Sequence, residues 1–145
     1  MNSKFAFAIL TASLFATGCA TTQDATQPST TPAEAQTLLT GEEIRSLISG
    51  RTVEGKNSDA QNVKAYNSPD GTVSAVSAKG DKTYASTGTW EIQGNTICAK
   101  WDNKDWKPGC STVTKNGENY LFKPTVSGIP SIPAAKLVDG NPHNL

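Results

Sequence analysis

Histidine is almost missing from this sequence: one residue, His143, in 145. Nucleophilic catalysis needs an activated hydroxyl or thiol beside a base. A zinc site needs several Cys or His ligands. A lone histidine in the run Asn141-Pro-His-Asn144 serves neither, and it reads as a solvated tail residue. Charge of one sign is also missing, with 13 Lys+Arg against 13 Asp+Glu and no long run of either. That excludes the basic patch of a nucleic-acid binder. No glycine-rich phosphate loop is present. The carboxylates Asp59, Asp70, Asp81, Asp102 and Asp105 stand singly in turns. Asp102-Asn103-Lys104-Asp105 lacks the following Gly and Glu of a calcium loop. These absences point to a protein that is not an enzyme and carries no metal or cofactor. Long apolar runs are absent too, apart from Phe5 to Phe15, which is too short to span a bilayer.

That run makes sense as an address. Lys4 precedes it, and Leu14-Phe-Ala-Thr-Gly-Cys19 follows. The six residues resemble the lipobox of bacterial lipoproteins, with Ala16 where leucine is usual. The resemblance implies cleavage after Gly18 and a diacylglyceryl thioether with further acylation on Cys19. Such a palmitate-type, multi-chain anchor holds stably, because one acyl chain alone is marginal. Ala20 stands where an aspartate would resemble an inner-membrane retention signal, so the outer membrane, facing the periplasm, is the expected location. Residues 19–37, rich in Thr, Gln, Ala and Pro, cannot bury enough apolar surface to offset their chain entropy and read as a disordered tether. The expected organisation is a signal peptide over 1–18, the lipidated tether over 19–37, and one folded domain over 38–145.

The domain starts with a helix. Thr40 is an N-cap, Glu43 completes a capping box, and Leu39 can staple onto Ile44. Ile44, Leu47 and Ile48 form one stripe, and Gly50 stops a helix spanning Thr40–Ser49. Strand and turn signals follow without interruption: Arg51 to Gly55, Asn62 to Tyr66, Thr72 to Ala78, then two hairpins. In the first, Gly94-Asn95 is a two-residue turn, so Ile92 faces Ile97, Trp90 faces Ala99, and Gly88 faces Trp101, leaving room for its ring. In the second, Asn116-Gly117 is the turn. It pairs Lys115 with Glu118, Val113 with Tyr120 and Ser111 with Phe122. Both registers put Cys98 and Cys110 on the outer face. With Cys19 lipidated and an oxidising compartment implied, Cys98 and Cys110 are expected to form a disulfide. Ala134 to Val138 closes the series. The fold expected is mainly β: a small antiparallel up-and-down barrel, lipocalin-like, of about seven to eight strands, with one short N-terminal helix and an interior filled by side chains.

Several short signatures recur together: Gly50-x-Thr52-Val53-x-Gly55, Thr87-Gly88-Thr89-Trp90, Ile97-Cys98-Ala99-x-Trp101, Cys110, and Asn116-Gly117-x-x-Tyr120. On these residues the chain resembles a group of small bacterial exported lipoproteins with a G-x-W…C…C barrel, catalogued as domains of unknown function. The resemblance implies the barrel and hands over no active site.

One stretch is left to recognise a partner. Trp106 sits between the cysteines beside Lys104, Asp105 and Lys107. It is either a contact for a protein or glycan partner, or a lid over the barrel mouth. The leading expectation is a monomeric, lipid-anchored envelope protein that binds such a partner. The alternatives are an inhibitor of an envelope-attacking enzyme such as lysozyme, and a carrier of a small apolar ligand, which would need an open cavity of several hundred Å³.

Overall fold

A computed structural model describes residues 36–145. The stretch read as a signal peptide, Cys19, and nearly all of the stretch read as a tether lie outside the described residues. The elements run in chain order: β1 (Thr37–Leu38), α1 (Gly41–Ile48), β2 (Arg51–Lys56), β3 (Asn62–Asn67), β4 (Thr72–Lys79), β5 (Lys82–Gln93), β6 (Thr96–Trp101), β7 (Gly109–Asn116), β8 (Asn119–Pro124) and β9 (Ile132–Asp139). Strands β2 to β9 each pair antiparallel with the next. β9 also pairs with β2, which closes an 8-stranded up-and-down barrel. Closure leaves the eight barrel strands without a long free edge. The two-residue β1, which straddles the expected boundary between tether and domain, pairs with Thr114 and Lys115 beyond the reach of β6.

Turn chemistry sets the registers. Gly80, Gly94 and Gly117 open three two-residue turns with φ of 57°, 56° and 59°. A glycine in the first central position with positive φ suits a hairpin whose twist matches its strands. The β5–β6 register is as expected, with Gly88 opposite Trp101, Trp90 opposite Ala99 and Ile92 opposite Ile97. The β7–β8 register is not. The turn is Gly117-Glu118, so Val113 faces Phe122, Lys115 faces Tyr120, and the expected Lys115–Glu118 pair does not form. Asn-Gly would place its glycine second; here glycine comes first, as at the other two turns. Each partner shifts by two residues, so every side chain keeps its face.

Gly88 also has a different reason for being small. A Cβ there would collide with the Lys100 carbonyl on β6, so the strand backbones themselves, not the Trp101 ring, exclude a side chain.

Helix α1 plugs one end of the barrel. The Thr40 hydroxyl accepts from the Glu43 amide and the Glu43 carboxylate accepts from the Thr40 amide, the full capping box. The Glu43 carboxyl is held below its usual range by the Thr40 amide and hydroxyl. Asn95, in the β5–β6 turn, accepts a hydrogen bond from the Gly41 amide through Oδ1 at 3.0 Å. The helix is thereby fixed on the barrel rim. Ile44 and Ile48 are fully buried against Trp90, Val113, Val53 and Phe122. The Trp90 indole donates to the Ser68 carbonyl at 2.9 Å, and the Arg45 guanidinium lies 5.8 Å from its ring centroid.

Closure depends on β9. Its seam with β8 is irregular, with Tyr120 opposite Ala135 but Phe122 opposite Ile132. Pro133 falls inside that bulge, where its missing N–H costs no ladder bond. Past β9 the chain turns back over the barrel wall. His143 is exposed, as expected of a tail residue, but it is not free: its Nε2 lies 2.5 Å from Glu54 Oε1 and its Nδ1 lies 3.2 Å from Lys64 Nζ. Because the lysine ammonium can only donate, Nδ1 is the acceptor and Nε2 carries the proton toward Glu54. Thr52 beneath is fully buried and donates to the Gly140 carbonyl at 2.7 Å.

Candidate functional site: the barrel cavity

The barrel is filled at its helix end and empty at the other. An eight-stranded barrel is just wide enough for side chains to fill it or for one small ligand. Which outcome holds depends on the side chains pointing inward. Near the helix these are large: Trp90, Val113, Ile44 and Ile48. Further along they shrink to Ala65, Ala75, Ser77, Ala99, Gly109 and Ser111. A cavity of about 630 Å³ results, and the expectation of a filled interior is corrected. Val53, Val73, Ile97 and Phe122 line its deeper part, and Ile129, Pro130 and Ile132 line the side toward the β8–β9 loop. Its charged lining residues are Asp105 and Lys107, both in the β6–β7 loop at the mouth.

That loop folds over the opening. Trp106 meets Trp101 edge to face, with ring centroids 4.7 Å apart and planes at 63°. Both rings line the cavity. Internal bonds shape the loop. The Asp102 amide donates to the Thr87 carbonyl at 2.9 Å, and the Thr87 hydroxyl donates to Asp102 Oδ2 at 2.6 Å. Asn103 accepts from the Asp105 amide through its side chain and from the Trp106 amide through its carbonyl. The side chains of Asp102 and Asn103 are thus spent on the turn. Among the described residues no cluster of His, Cys, Asp or Glu could hold a metal.

The disulfide braces the same loop. Cys98 and Cys110 are directly opposite on β6 and β7, with Cα atoms 3.9 Å apart, and are bonded. The bond lies on the outer face, because Ile97, Ala99, Gly109 and Ser111 point inward.

The four residues singled out around the tip separate. Trp106 and Asp105 line the cavity. Lys107 lines it too, its ammonium lying over Gly128 in the β8–β9 loop. Lys104 is exposed and stands apart from the cavity. Tyr84, at the mouth, is half exposed. The alternation of alanine, serine and glycine at inward positions of β3 to β7 was the available signal for the cavity. It could be weighed only once the barrel was known to close.

The architecture defines a class: a closed up-and-down barrel with a helical floor, an apolar cavity and a mouth half covered by aromatic side chains. No family model, no curated protein and no solved structure matches this chain.

Proposed function

We propose that this protein is a non-catalytic binder that takes a small, mainly apolar molecule into its barrel, and that a lipid on Cys19 holds it at the bacterial cell envelope. The cavity carries this reading. Ligand sites typically enclose about 300–1,000 Å³, are lined largely by apolar and aromatic groups, and use few polar ones. The space described above has those properties. The rival reading, a protein or glycan partner at Trp106, has less support, since that ring turns toward Trp101 and the cavity. An inhibitor of lysozyme or a similar enzyme would need a protruding loop, and the β6–β7 loop folds back over the mouth instead.

The test is a titration with N-phenyl-1-naphthylamine, a neutral apolar dye, followed through its emission and through Trp101 and Trp106 fluorescence. Saturable binding of one dye per protein is expected, and its loss in a cavity-filling Ala75→Phe, Ala99→Phe double variant that still folds. Non-saturable binding, or equal binding by the filled variant, refutes the reading. Anchoring is tested separately by mass spectrometry of the mature protein, where the first residue should be an acylated Cys19.

A further inference from the structure

Two side chains in the cavity wall are buried, polar and only partly used. Asn67, at the end of β3 beside the helical floor, is 3 % exposed. Its amide nitrogen donates to the Ala65 carbonyl at 3.3 Å. A carbonyl can only accept, so the nitrogen must face it, and the amide's Oδ1 is the end left over. Ser77, on β4 nearer the mouth, is 8 % exposed, and its hydroxyl has no side-chain or backbone partner among the described residues. Every described side-chain polar atom that is wholly shielded has a partner. Asn67 Oδ1 and the Ser77 hydroxyl, which have none, therefore open onto the cavity both residues line.

Resting on the cavity reading above, we infer that the ligand is a neutral, mainly apolar alcohol that enters hydroxyl first and donates its hydrogen bond to Asn67 Oδ1 at the cavity floor. Charge selects against the alternatives. The charged lining groups are confined to the mouth, so a carboxylate or ammonium at the floor would be buried without a counter-ion, which is far more costly than burying a hydroxyl. A pure hydrocarbon would leave the Asn67 acceptor dehydrated and unpaired, an unfavourable state for a buried polar group. A neutral donor satisfies it, while the wall of alanine and valine takes the apolar body. The Ser77 hydroxyl lies nearer the mouth and serves a second polar group on the same ligand, or none.

The experiment uses a matched pair, 1-decanol and decyl methyl ether, each displacing N-phenyl-1-naphthylamine from the folded protein. The two share the decyl chain and the oxygen; in the ether a methyl group replaces the hydroxyl proton, so the donor is lost while apolar surface is slightly increased. The alcohol is expected to bind about tenfold more tightly than the ether, the size of one hydrogen bond to an otherwise unpaired buried acceptor. In Asn67→Leu that preference should collapse to about onefold, with the ether still bound; in Ser77→Ala it should persist. Asn67→Ser, which keeps a hydroxyl but withdraws it from the cavity, provides a second test should the leucine variant not fold, and should also lose most of the preference. Equal affinities in the wild type, or a preference that survives at position 67, sink the assignment and leave the cavity reading intact. Failure of both probes, and of the dye itself, sinks both together.

Discussion

Trp101 and Trp106 meet edge to face at the mouth of the barrel, one at the end of β6 and the other on the loop it leads into. The loop between them is short and tied internally, so Trp106 has one resting place, over the opening. Retention of a ligand should depend on it more than stability does.

Replacing Trp106 with alanine removes the outer half of that pair. Edge-to-face aromatic pairs contribute roughly 0.5–1.5 kcal/mol beyond area burial. The variant should lose no more than about 2 kcal/mol of stability, because Trp106 is only half buried. Dye dissociation by stopped flow should accelerate severalfold, with the association rate unchanged or higher. An unchanged dissociation rate would remove the lid role.

Gly88→Ala tests the backbone crossing. The added Cβ meets the Lys100 carbonyl rather than a flexible side chain, so β5 and β6 must separate. Overpacking of this kind costs about 1–3 kcal/mol. Urea denaturation should show a clearly lowered midpoint at unchanged slope. Gly80→Ala makes a useful comparison, since its Cβ would meet nothing and only its turn conformation is penalised.

Reduction of Cys98–Cys110 should cost about 3 kcal/mol by loop-closure reasoning. The pair spans a separation of 12 residues and closes the loop carrying Trp106. Non-reducing peptide mapping should recover the linked peptides. Chemical denaturation with and without reductant should show the loss, and the reduced form should release dye faster.

Acid should weaken the helix cap in a defined direction. The Glu43 carboxyl is held low by hydrogen bonds from the Thr40 amide and hydroxyl, and the Asp70 carboxyl by the Thr72 amide and hydroxyl. A carboxyl whose folded pKa is depressed stabilises the fold above its unfolded value, about 4 for either acid, and that contribution disappears as pH falls through the lower folded value. Stability measured from pH 6 down to pH 3 should decline. In Glu43→Gln the decline should be shallower, because one of the two groups no longer titrates. Thr40→Ala should cost about 1 kcal/mol at neutral pH, the usual value of an N-cap.

Much of the architecture is local, and the local part was legible. The Thr40–Glu43 capping box, the Ile44 and Ile48 stripe, the Gly94-Asn95 turn with its whole register, and the Cys98–Cys110 pairing follow from residues close in sequence, or from period-two alternation. The β7–β8 turn was misread by one residue because Asn-Gly and Gly-Glu overlap, and both registers leave every side chain on the same face, so alternation does not choose between them. Gly88 was recognised as necessary, but for the wrong neighbour: a strand alignment names the facing residue, not how closely the backbones cross.

The sequence by itself pointed to a small up-and-down β-barrel with a closing strand over Ala134 to Val138, one capped helix, a cysteine pair on its outer face, and a single aromatic loop between the cysteines. The irregular seam of β9 with β8, docking of His143 on Glu54 and Lys64, and the emptiness of the mouth-side interior were decided by tertiary structure alone. Whether small inward residues leave a cavity depends on the barrel's diameter and on which end the helix plugs. Both are properties of long-range pairing, and no window of sequence contains them. Asn67 shows the difference most clearly. In sequence it lies just past the strand read over Asn62 to Tyr66; in the closed barrel it is a buried amide at the floor of a cavity, with one acceptor still to be satisfied.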